Sequence, residues 1–174
     1  SWPPSATFRA GEKARTFANP YGVPRKDWPE AGVTDAASKR VHMANVLGRK
    51  SAEACIVMAD LGRPFVWILP DAVVGESSPE QLDYLKLLKL RGAKKYSTHG
   101  ASYGTPHRHP TGIVSNVTGF FTLKTECDES LPPTVAEHRL LWRHHLATAP
   151  AFGGQIAVTL ACELQRPVST GAHQ

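Results

Sequence analysis

Five consecutive apolar residues, Phe65-Val66-Trp67-Ile68-Leu69, stand between Pro64 and Pro70. Proline has no backbone N–H to give a sheet ladder and disrupts a helix interior, so the run extends in neither direction. It is too short for a helix and does not alternate. It therefore predicts a strand buried on both faces, as in a parallel sheet sandwiched by helices. With 174 residues, 41% of them apolar, the chain is long enough to close one such core.

The flanking segments supply helices. Thr34 or Asp35 caps a helix that runs to about Leu61, where Gly62 stops it. Val41, Ala44, Gly48, Ser51, Cys55 and Met58 recur at intervals of three and four, and Leu47, Ala54 and Leu61 widen that face. Small residues at its middle predict close packing. Pro79 can open a second helix after Ser77 or Ser78, with Leu82, Leu85, Leu88 and Leu90 turned inward and Gly92 at its end. Two short strands are expected at 96–99 and 111–117, a polar loop at 124–133, a short helix at 136–147 and a longer one at 154–164 carrying Ile156, Leu160 and Leu164 on one face. This order is that of an α/β protein.

Residues 1–33 read differently. Five prolines (Pro3, Pro4, Pro20, Pro24 and Pro29) and the aromatics Trp2, Phe8, Phe17, Tyr21 and Trp28 predict an extended arm that packs on its own body or on an absent domain. The body is 34–165 and the tail 166–174. No apolar run approaches the roughly 18 residues of a membrane span. The start has neither Met nor the charged and apolar regions of a secretory signal, which suggests a longer parent or processing. Cys55, Cys127 and Cys162 are an odd set without a C-x-x-C, as expected of intracellular free thiols.

Within "HGASYGTPHRHPTG", residues 99–112, Gly100 to Gly104 form a G-x-S-x-G. A nucleophile elbow needs a helix straight after the serine, and Pro106 and Pro110 prevent one. Asp128 with His138 or His144 could be cast as triad partners only on polar or undefined segments. His107, His109, Cys127, His138, His144 and His145 could be cast as zinc ligands, but no cysteine pair or H-E-x-x-H accompanies them. A basic, solvated loop accounts for them more simply. The net charge of +5 suits an anionic partner.

Four segments in chain order carry a resemblance. They are "FANPYGVP" (17–24), "RVHMANVLGRKSAEACIVMADLGRPFVWILP" (40–70), "HGASYGTPHRHPTGIVSNV" (99–117) and "ATAPAFGGQIAVTLACEL" (147–164). Together they resemble the C-terminal half of cytosine-5 DNA methyltransferase-like proteins of the retroelement-associated type. The matching features there are a proline-rich approach, a long helix with G-x-P-F and a strand ending in Glu-Asn-Pro, a C-x-Y-G-x-x-x-x-K-P-T loop, and a terminal Y-P-x-x-L-x-x-x-I-A helix. The resemblance spans 17 to 165. It implies a partial Rossmann-like methyltransferase sheet with flanking helices. In such enzymes S-adenosylmethionine sits on a Gly-rich loop, a cysteine thiolate attacks the base, a glutamate holds it, and the base is flipped out of the stack.

This chain departs from the pattern where the chemistry lies. It has no first strand with a Gly-rich loop and no Pro-Cys pair. Ile68-Leu69 stands at the Glu-Asn positions, and His109 replaces the lysine before Pro-Thr. Neither Ile nor Leu can donate or accept a hydrogen bond. The expectation is a divergent methyltransferase-like domain with no catalytic or metal-binding residue of its own and no cofactor in this chain, S-adenosylmethionine entering only if a missing N-terminal half is supplied. Its expected partner is DNA or RNA, met by His107, Arg108, His109, Lys94 and Lys95. Lys89, Arg91, Arg139, Arg143, His144 and His145 add charge nearby in sequence. From a different class comes an assembly subunit that docks on a protein partner, or on that missing half, through its N-terminal arm.

Overall fold

The computed structural model describes residues 13–70, 82–104, 110–123 and 150–165. A 3-10 turn at Arg25–Asp27 leads into a one-turn helix α1 (Trp28–Ala31), then the long helix α2 (Asp35–Asp60). Strand β1 (Val66–Pro70), helix α3 (Asp83–Leu90), strand β2 (Lys94–His99) and strand β3 (Pro110–Ser115) follow, and helix α4 (Pro150–Leu164) comes last. The expected helices at about 34–61 and 154–164 and the strand pair around the 99–112 loop are all present. The polar loop at 124–133, the helix at 136–147 and the tail lie outside the described residues.

The sheet corrects one expectation. Its order is β1-β3-β2, and β3 is antiparallel to both neighbours. Val66 pairs with Ser115 and Ile68 with Ile113 on one side of β3, while Tyr96 pairs with Ile113 on the other. The strand between the prolines is therefore an edge strand in an antiparallel pair, not the centre of a parallel sheet. The physical reason is the hairpin. β3 returns directly from β2 and inserts beside β1, so β1 and β2 point the same way without touching. The fold is α/β, and what the apolar run did encode is burial on both faces.

That double burial comes from two helical layers. Phe65, Trp67 and Leu69 face α2 and α3, joining Ala52, Leu82, Tyr84, Leu85, Leu88 and Val114. Val66 and Ile68 point the other way, toward Ile113, Tyr96, Phe120 and the α4 residues Ile156 and Leu160. Leu82, Leu85 and Leu88 are fully buried, each worth roughly 1.5–3 kcal/mol of apolar transfer. Trp67 is core, as its aliphatic neighbours suggest, with its ring 5.9 Å from that of Tyr84.

Helix α2 is capped by Thr34, whose side chain accepts from the Ala37 N–H at 3.2 Å. Its packed face holds Ala37, Val41, Ala44, Gly48 and Ala52. Leu47, Ala54 and Leu61 do not widen this face but lie exposed, as does Met58. Leu90 and Leu164 are likewise turned to solvent. The N-terminal segment from 13 onward packs on its own body. Ala14 joins Val41 and Ala37, and Arg15 donates to the Pro20 carbonyl and to Asn45 Oδ1. Asn45 Nδ2 donates to the Tyr21 carbonyl at 2.7 Å, and Tyr21 Oη accepts from the Asp83 N–H at 2.8 Å. Among the described residues no helix is long and apolar enough to cross a membrane.

Tyr84 sets the spacing of α2 and α3. A Cβ on Gly48 would lie 2.6 Å from Tyr84 Oη. Gly48→Ala gains about 1 kcal/mol of helix propensity but loses about 1–3 to overpacking, so a net loss is expected. In a Tyr84→Phe background the nearest remaining atom, Cζ, stands at 3.3 Å, and the same change should become neutral or stabilising. Urea unfolding of the four proteins in this cycle reads the sign reversal. A Gly48→Ala loss of equal size in both backgrounds would disprove the contact.

Candidate functional site

β1 ends at Pro70 and β2 at His99 at the same end of the sheet, where the 99–112 segment departs. His99 is half-buried and its Nδ1 is buried without a hydrogen-bond partner. A 3-10 turn at Gly100–Tyr103 follows, and Gly104 closes it with φ 88°. Ser102 thus lies inside a tight turn rather than between a strand and a helix, which removes the nucleophile-elbow geometry. Tyr103 folds back onto the layer that holds Ile156 and Leu160.

The expected basic residues fall into two places. Lys94 opens β2 in register with Ser115 and is exposed. Five strand steps of about 3.3 Å carry the chain from there to His99, so Lys94 sits about 16 Å from the departing loop. Lys95 is half-buried and behaves differently. Its Cε lies 3.2 Å from where a Cβ on Gly112 would be, so the side chain runs along the sheet toward the loop end. Gly112 leaves the room for it. His107, Arg108 and His109 lie outside the described residues, as do Arg139, Arg143, His144 and His145. The chain leaves the sheet at His99 and returns at Pro110, which pair with each other, so the loop carrying these three residues is rooted at the Lys95-facing end.

The cations of α3 have local partners. Lys86 Nζ pairs with Asp83 Oδ1 at 3.2 Å, and this hydrogen bond holds the Asp83 carboxyl below its usual range. Arg91 Nε reaches Asp60 Oδ1 at 2.7 Å and ties the ends of α2 and α3 together. These exposed pairs add little stability.

The two residues at the Glu-Asn positions are hydrocarbon in hydrocarbon. Ile68 packs toward Ile113 and α4, and Leu69 is buried against the α2–α3 layer. Neither side chain can hold a pyrimidine edge or a ribose by a hydrogen bond. The side chains of Ile68 and Leu69 offer S-adenosylmethionine no hydrogen bond. Among the described residues no group of His, Cys, Asp and Glu is placed to hold a metal ion.

Ser115 and Asn116 are at the opposite end of the sheet from His99 and Pro110. Asn116 Oδ1 accepts from the Phe65 N–H at 3.0 Å while its Nδ2 donates to the Arg63 carbonyl at 2.8 Å. Ser115 Oγ donates to the Phe65 carbonyl and accepts from the Val117 N–H. The pair clamps the segment that feeds β1. Arg15, buried in the N-terminal segment, is the other polar anchor that the sequence reading missed. The asparagine two residues after a strand's apolar core was visible, but its partner fifty residues upstream was not.

Compared with known protein families, curated proteins and solved structures, the chain matches none. What the coordinates define by themselves is an α/β domain with a three-stranded antiparallel sheet between two helical layers.

Two outcomes are expected. Asn116→Ala leaves the Phe65 N–H without its acceptor and should cost about 1–3 kcal/mol in thermal or urea unfolding. Asn116→Asp keeps the acceptor, loses the donor, and should fall between. Burial pushes the Cys55 thiol up to about 11. A raised thiol pKa means less thiolate at any pH below it, so iodoacetamide at pH 8 should alkylate exposed Cys162 well over tenfold faster than Cys55. Peptide mapping showing Cys55 labelled first would refute its burial.

Proposed function

We propose that this chain is a divergent methyltransferase-like domain that performs no methyl transfer by itself and binds nucleic acid at the His99–Pro110 end of its sheet. The observation that carries the first half is the packing of Ile68 and Leu69. Where the resemblance implies a glutamate and an asparagine facing the base, two aliphatic side chains are built into opposite layers of the core. A polar pair there would have to be buried among hydrocarbon, at a cost of several kcal/mol without partners. The order of helix, strand, helix, strand and strand between two helical layers is consistent with the rear portion of such a sheet. S-adenosylmethionine then belongs to an assembly in which a separate N-terminal half brings the Gly-rich loop and the nucleophile.

Support for nucleic acid comes from charge and placement. The net charge is +5, and Lys95 runs along the sheet toward the root of the loop that carries His107, Arg108 and His109. A cluster at one end can follow one stretch of phosphates, and Lys94 at the other end is not needed. The assembly-subunit reading draws less support, because Ala14, Arg15 and Tyr21 of the N-terminal segment already contact α2 of the same chain.

Anisotropy titrations with duplex DNA and with single-stranded RNA at two salt concentrations test this. Affinity should fall steeply with salt, and Arg108→Ala should reduce the slope of log affinity against log salt by about one. Lys94→Ala should leave the slope unchanged. Calorimetry should give no saturable heat with S-adenosylmethionine. Binding that is flat in salt and undetectable, together with stable co-purification of a protein partner, would favour the assembly reading instead.

A further inference from the structure

Helix α2 has a second apolar face. Met43, Val46, Leu47, Val57, Met58 and Leu61 are all exposed, from 38% to 67%. At 100° per residue they fall within about 60° of a single line, some 140° round the helix from the packed residues Val41, Ala44, Gly48 and Ala52. The stripe runs about 27 Å, since it spans eighteen helical steps. Single exposed aliphatics are ordinary, whereas six aligned along one face of a helix, in two groups on either side of Lys50, mark a contact surface. Residues 13–33 do not serve as its cover. They seat on Val41 and Asn45, on the opposite side of the helix.

The stripe is symmetric about its own centre. Met43 and Leu61, Val46 and Met58, Leu47 and Val57, and Lys50 and Ala54 are each equidistant from position 52. A surface of this kind matches its own inverted copy, which is the requirement of a two-fold interface. Met43 and Leu61 lie on the stripe line, while Val46 and Met58, and Leu47 and Val57, lie on opposite flanks of it. An antiparallel partner would therefore fill at each level the flank that the first helix leaves open. Charge follows the same pattern. Lys50 and Glu53 flank the centre and are paired within one helix at 2.7 Å, both largely exposed. Across a two-fold axis at position 52, Lys50 of each copy comes level with the neighbourhood of Glu53 of the other. The only cation on the stripe thereby meets an anion rather than another lysine.

We infer that the Met43–Leu61 stripe of α2 is a homodimer interface, closed by antiparallel packing of α2 against α2 of a second copy with the two-fold axis at position 52. The inference is independent of any nucleic-acid role.

Sedimentation velocity of the full 174-residue chain across a dilution series tests it. A concentration-dependent dimer is expected. Leu47→Glu and Val57→Glu should each raise its Kd by more than about tenfold, with unchanged far-UV circular dichroism, because both sites are exposed in the protomer. Lys50→Glu should weaken the dimer by placing like charges together, and adding Glu53→Lys should restore it. A wild-type monomer at every concentration overturns the proposal, as does a dimer indifferent to the stripe. Failure of the double charge reversal to restore association excludes the antiparallel register. Stripe variants that lose stability as monomers would instead assign the surface to another part of the same chain.

Discussion

The fold depends on β1 being buried from two sides at once. Five residues place Phe65, Trp67 and Leu69 in one layer and Val66 and Ile68 in the other, so this strand joins two cores that otherwise have little in common. Each layer needs the sheet to close it, and β1 supplies the sheet with the side chains both layers require. Its backbone is positioned by Asn116 and Ser115, which bond the chain between Arg63 and Phe65 and hold β1 in register with β3. Hydrophobic burial and a polar clamp act here on the same few residues.

The same strand decides what the candidate site can do. Ile68 and Leu69 give this end of the sheet no hydrogen-bonding side chain. Polar character at this end comes instead from His99 and from Lys95, which crosses over Gly112. Lys95 brings positive charge to the end where the chain leaves the sheet at His99. The proposed nucleic-acid contact rests on that charge.

Much of this was legible in the sequence. The double-sided burial of 65–69, the Thr34 cap, the stops at Gly62 and Gly92, and the hairpin around the 99–112 loop all follow from local rules. Strand direction was not legible, because a continuous apolar run reports burial and says nothing of which neighbour supplies the hydrogen bonds. Lys94 and Lys95 are adjacent in sequence, yet alternation along the strand and the room above Gly112 send them to different places. The clamp made by Asn116 was not legible, since its partners lie some fifty positions away.

Helix α2 draws the line most plainly. Its length, its cap and its packed face of small residues were determined by the sequence, because helical periodicity and capping are properties of neighbours in the chain. That Leu47, Ala54, Met58 and Leu61 lie outside that face was decided only in the folded molecule. Tyr84 reaches across from α3 and leaves no room for a side chain at position 48, so the face of small residues turns toward it and the face of large ones is left outside. Periodicity fixes the angle between two faces of a helix, but only the shape of what lies opposite selects between them.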